Sequence, residues 1–301
     1  MPKQAGRFAG FFDGLLRLDR RWIYLLIAVG VFVSLLGPFR VDVSITSPVT
    51  RYFRAINDLP PGSTILVSMD LDPSTLPELE PILVATVRHA LGRGVNVLAM
   101  TLMVEGTSIG ERIMLEAAGE LNDLYARRGE DERVVMGEDW VYLGFRAGYG
   151  AVILQLGDEI RRAYPTDFYG VPLDDYPLMR GIHSFDDLEL VSAVSGTSLP
   201  VEWVSYAQAP FGIPVIVGCT AVSAPEFYAY LQTGQMEGIL GGLKGAAEYE
   251  KLISRPAAAT RGMVAQTAVH FLIVALIFLG NLAHFLVRFG KRRSPEVKTG
   301  E

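Results

Sequence analysis

TILVSMDLDPSTLPELEPILVATVRHALGRGVNVLAMTLM, residues 64–103, decides the fold. Thr64–Met69 is a short, apolar, β-branched run with the length of a buried strand. Residues 70–74 carry two Asp, a Pro and a Ser, which read as a turn. From Pro77 to Leu91, Leu79, Ile82, Leu83, Val87, Ala90 and Leu91 recur at helical spacing, and Gly92-Arg93-Gly94 stops that helix. Val95–Met103 then returns as a second buried strand.

The same grammar continues outward. Ser108–Arg128 reads as a helix with Ile109, Ile113, Ala117, Leu121 and Leu124 inward, and Glu132–Met136 as a short third strand. Ala151–Tyr164 is expected to be helical and Thr166–Asp187 loop-like. Leu188–Val194 and Pro214–Cys219 are expected strands; Pro200–Ala207, Ala224–Gln232 and Gln235–Ser254 are expected helices. Buried strands alternating with helices imply an α/β fold: a mostly parallel, Rossmann-like doubly wound sheet, covered on both faces.

Two apolar runs flank this soluble domain. Gly262–Val287 holds 26 residues without Asp, Glu, Lys or Arg, and about 20 suffice to cross a bilayer. Trp22–Phe39 is a second charge-free run between Arg21 and Arg40. Its exit, Leu36-Gly37-Pro38-Phe39, offers no small-x-small cleavage site, so it reads as an uncleaved anchor rather than a signal peptide. The expected order is a cytoplasmic tail (1–21), a first transmembrane helix (22–39), a connector (40–61), an extracytoplasmic α/β domain (62–257), a second transmembrane helix (262–287) and a basic tail (288–301). In the first tail, Phe8, Phe11, Phe12, Leu15 and Leu16 recur at the spacing of an interfacial amphipathic helix.

Charge sets the orientation. Each tail carries five Lys or Arg against two acids; of 27 cations and 33 anions in all, 17 and 29 remain between the runs. Both termini are therefore expected in the cytoplasm, with the acidic middle outside the cell membrane. A net charge of −12 there argues against nucleic acid as a partner. Cys219 is the lone cysteine, so the domain has no internal disulfide. Arg outnumbers Lys 22 to 5, a composition that suggests a prokaryote.

Parallel sheets place ligands at the carboxyl ends of their strands. That singles out Asp70, Asp72, Thr101 and Glu105, together with Glu138, Asp139, Cys219 and Thr220. Asp70 and Asp72 have the oxygen ligands that a divalent cation needs; they are also ordinary turn and cap residues. Cys219 reads as a small hydrophobe, and His89, within a helix, as a surface residue. In the expected helix 235–254, Gly238, Gly241, Gly242 and Gly245 stand four apart in pairs, the spacing of closely packed helices, either inside the domain or between subunits. In the second span, His270, Asn281, Gln266 and His284 interrupt the apolar run; polar groups at that depth face protein.

The string VSMDLDPST, residues 67–75, resembles the first motif of the haloacid dehalogenase phosphatases. The resemblance implies Asp70 as nucleophile, Asp72 as acid, Ser74 in the motif's Thr position and Thr101 as the second-strand hydroxyl. That family also uses a Lys ahead of a final acidic pair. Here Lys244 and Lys251 follow Asp174-Asp175 and Asp186-Asp187, so the pattern is broken.

No P-loop, nucleophile elbow or zinc-protease motif occurs. The expectation is a membrane-anchored, non-enzymatic scaffold or assembly component without a cofactor. It would associate with itself or with a membrane-protein partner. A ligand- or metal-binding sensor domain and a metal-dependent phosphohydrolase are the alternatives.

Overall fold

The computed structural model describes residues 19–37 and 42–292, which fall into two compact units, one of residues 42–260 and one within 1–41 and 261–301. Of the expected interfacial helix, residues 7–20, all but the last two residues lie outside the described residues, as does most of the basic tail.

In the first unit, α2 (Ser47–Asn57) precedes β1 (Thr64–Asp70), α3 (Leu76–Gly92), β2 (Asn96–Thr101), α4 (Thr107–Arg128) and β3 (Trp140–Phe145). Then follow α5 (Tyr149–Asp158), α6 (Ile160–Ala163), β4 (Leu190–Ser195), α7 (Leu199–Trp203), a π turn (Val204–Gln208) and α8 (Ala209–Phe211). β5 (Val215–Cys219), α9 (Ala224–Gln232), β6 (Gly238–Gly241) and α10 (Gly242–Leu252) complete it. All five strand pairings are parallel, in the order β3-β2-β1-β4-β5-β6. This is the doubly wound order, with its switch point between β1 and β4.

Every residue of β1, β4 and β5 is buried, so side chains are covered on both faces. Leu66, Met100, Val141, Val191 and Val217 point into a core shared with α5, α7, α9 and the turns of residues 173–187. The alternate positions face α2, α3, α4 and α10.

Several expectations need correction. The third strand is Trp140–Phe145, not Glu132–Met136. In the latter stretch the Val134 backbone exchanges two hydrogen bonds with the Asn122 side chain, at 2.7 and 3.0 Å, instead of joining the ladder. Glu138 and Asp139 consequently precede a strand rather than end one. The stretch 235–254 is a strand, a tight turn and a helix, not one helix. The helix at 47–57, expected as part of a connector, packs its Tyr52 and Ile56 fully into the domain. His89 is buried.

In the second unit, α1 spans Arg20–Leu36 and is capped by Asp19, whose carboxylate accepts the Arg21 N–H at 3.0 Å. α11 runs from Ala258 to Arg292. Among the described residues one helix is long and apolar enough to cross a membrane, Ala258–Leu286, not the two expected. α1 has 17 residues, about 26 Å at 1.5 Å each, short of the roughly 30 Å of a bilayer's hydrocarbon core.

Candidate functional site

Asp70 ends β1 and pairs in register with Ser195, the last residue of β4, so it sits at the switch point. Its side chain is fully buried. The Ser68 hydroxyl donates to Oδ2 at 2.7 Å and the Leu102 N–H to Oδ1 at 2.6 Å, tying β1 to the chain leaving β2. Burial pushes the carboxyl up to about 6, against the pull of the Leu102 N–H, Ser68, Thr101 and Trp203. Near it, Tyr164 Oη is a buried polar atom without a hydrogen-bond partner among the described residues.

The neighbouring candidates are built into turns. Asp72 is half-buried and accepts the Ser74 N–H at 2.8 Å and the Thr75 hydroxyl at 3.0 Å. The Ser74 hydroxyl, before burial and the other bonds, holds its carboxyl below the usual range. Thr101 is buried, donates to the Met103 carbonyl at 3.0 Å and accepts the Met103 N–H at 3.1 Å. Glu105 is exposed on a 3-10 turn, Val104–Gly106. That turn covers the strand ends closely: a Cβ on Gly106 would lie 2.7 Å from the Met69 carbonyl oxygen. Across the switch point, a Cβ on Gly196 would lie 2.4 Å from Thr75 Cγ2. The chain's own turns thus lie close over the strand ends at the switch point, where open doubly wound sheets hold a dinucleotide.

Among the described residues no group of three or more His, Cys, Asp or Glu is arranged to hold a metal ion. Cys219 is buried, donates weakly to the Leu240 carbonyl at 3.6 Å, and burial pushes its thiol up to about 12. Such a thiol is not a nucleophile near neutrality.

Asp70 therefore acts as a buried polar tie, with a consequence for pH. A carboxyl whose pKa rises from 3.8 to about 6 on folding contributes most below pH 3.8, and that contribution is lost as pH rises through 6. The loss amounts to about 3 kcal/mol. Asp70→Asn keeps the acceptor for Leu102 and removes the titration. It is expected to flatten the melting temperature between pH 4 and 7, relative to the unsubstituted protein.

The glycine-rich stretch packs closely inside the domain, but as a strand and a helix rather than as the single helix its spacing suggested. Gly238 lies in β6 where a Cβ would stand 2.3 Å from the Tyr52 backbone nitrogen. Gly242 turns the chain at φ +58, beside Glu78 and Ala221. Gly245 packs on the Leu240 backbone. These residues seat β6 and α10 within the domain.

α10 in turn holds both ends of the unit. Glu248, buried, accepts the Thr46 N–H and hydroxyl, both at 2.7 Å, where the chain enters α2, and is paired with Lys244. Glu250, also buried, accepts the N–H groups of Ala257, Ala259 and Thr260 at 2.8, 3.0 and 2.9 Å and the Thr260 hydroxyl at 2.6 Å. Those are the unsatisfied donors at the start of α11. Between the two glutamates, Tyr249 Oη lies 2.6 Å from His89 Nδ1, and burial brings that imidazole down to about 4. Sequence reasoning missed this clasp, because Glu-Tyr-Glu on a helix reads as a solvated face.

No protein-family model, no curated protein and no solved structure matches this chain.

Proposed function

We propose that the chain is a membrane-anchored, non-enzymatic α/β protein that works as an assembly component. In this reading α11 crosses the cell membrane, α1 with the residues after it forms a second pass, both termini are cytoplasmic and the acidic domain is extracytoplasmic. The closed strand ends support a non-catalytic role.

One observation carries the assembly. At 3.6 residues per turn, Gln266, His270, Asn281 and His284 fall within about 60° of one another on α11. His270, Asn281 and His284 are exposed, as are Val274 and Ile277 along the same stripe. Polar side chains at membrane depth seek protein partners. An amide both donates and accepts, so Asn281 suits a second copy of its own chain across a two-fold axis.

The full-length protein in detergent is expected to be oligomeric by mass. Asn281→Leu should weaken that association about fivefold, the effect of about 1 kcal/mol for one interhelical hydrogen bond in a membrane. A monomer before substitution would overturn the assembly. Reporter fusions at residue 301 and in the domain test the orientation; a domain reporter active only in the cytoplasm would reverse it.

A further inference from the structure

Opposite Tyr249, α3 and the turn after α10 enclose a cleft of about 240 Å³, lined by Phe53, Arg88, His89, Arg93, Ile253 and Arg255 among others. Three arginines meet there in a domain with an excess of acid. Arg88 is the anchor. Its side chain is 8% exposed; Nη1 pairs with Glu120 at 2.7 Å. Nε and Nη2 are buried with no partner among the described residues. These two atoms form one edge of the guanidinium, the edge that grips two oxygens of an oxyanion at once. Leaving such donors unpaired in the interior is costly.

Arg255 is half-buried and forms no ion pair among the described residues. Burial, then the charges of Arg88 and Arg128, hold its guanidinium below the usual range, which Tyr125 and Glu120 oppose. It is placed by an unusual backbone: Ser254 has φ +55, the one positive φ outside glycine among the described residues. Arg93, exposed, donates to the Asn57 carbonyl at 3.1 Å. Phe53 stacks on His89 at 5.0 Å and gives the cleft an apolar wall.

We infer that this cleft binds a phosphate group, with Arg88 Nε and Nη2 gripping two of its oxygens and Arg255 and Arg93 supplying the remaining charge. With Arg88 already paired to Glu120, two of the three cations remain to be balanced, which a phosphate dianion does and a single carboxylate does not. A cleft of about 240 Å³ has room for such a group. The group belongs to a free phosphate or phosphorylated solute, or to a lipid headgroup.

The test uses the full-length protein in zwitterionic detergent, with thermal unfolding followed against inorganic phosphate and against sodium chloride of equal ionic strength. A saturable rise in melting temperature with phosphate is expected. Arg255→Ala should weaken the apparent affinity about tenfold or more, the effect of one charge-assisted hydrogen bond, and Arg255→Lys less. If Arg255→Ala unfolds, Arg93→Ala, at an exposed position, provides the same comparison. Phosphate acting no better than chloride, or variants titrating like the unsubstituted protein, would overturn the site. Nanodiscs with and without phosphatidic acid separate the sources. A headgroup in the cleft makes added phosphate ineffective only when that lipid is present; a solute site gives the same phosphate response in both.

Discussion

Replacing Glu250 by alanine is expected to lower the melting temperature of the full-length protein by about 6 to 12 °C, the shift for about 3 kcal/mol in a domain of this size. Its carboxyl is 1% exposed and accepts four hydrogen bonds, three from backbone N–H groups at the start of α11. Losing a helix cap costs about 1 kcal/mol. Each buried N–H left without a partner adds about 1 kcal/mol or more. Gln at this position retains one acceptor and should cost about half as much. Glu248→Ala removes two donors' partner at Thr46 and frees Lys244, so its effect should fall between. Calorimetry of the three variants checks the ranking. A shift under about 2 °C for Glu250→Ala would mean that water replaces the carboxyl, and that α10 does not hold the start of α11.

How much of this was legible in the sequence depended on the kind of signal. β1, β2 and β5 were readable because continuous apolar runs of strand length have few other uses in a chain of this class. α9 came out at its true bounds, because Pro225 sits in its first turn and Gly234 follows it. β3 was misplaced: Val134 and Val135 drew the expected strand to start eight residues early, at Glu132 rather than Trp140, and Asn122, from another element, takes up that backbone. At the candidate site, the sequence located the strand-end acids but not their states. Nothing local distinguishes the fully buried Asp70 from the half-buried Asp72 two residues later; Leu102 and Trp203, which surround the former, arrive from distant parts of the chain. Arg88 and His89 were hidden for a related reason. On a helix covered only by the sheet they would face water. Here α2 and α10 also pack against α3, and that second layer is a property of the assembled fold.

The glycine-rich stretch offers the sharpest contrast between pattern and packing, and Gly238→Ala tests it by sign. Were residues 235–254 one helix, alanine would gain about 1 kcal/mol from its higher helix propensity. In the fold, β6 lies against α2, and the new Cβ would stand 2.3 Å from Tyr52 N and 2.4 Å from Tyr52 Cα. Those are backbone atoms of a helix whose Tyr52 hydroxyl is anchored 2.9 Å from Thr86 and 2.8 Å from Ser192, so they cannot yield as a flexible side chain would. Overpacking of this kind costs about 3 kcal/mol, and β6 must move off α2 or lose its pairing with β5. Gly119 is the control: it lies inside α4, and a Cβ there would meet nothing within 4 Å. Gly119→Ala is expected to stabilise by up to about 1 kcal/mol, and Gly238→Ala to destabilise by about three times as much. Equal gains from both would return the glycines to a helical face. Opposite signs would mean that they are there to let a strand and a helix approach at backbone distance.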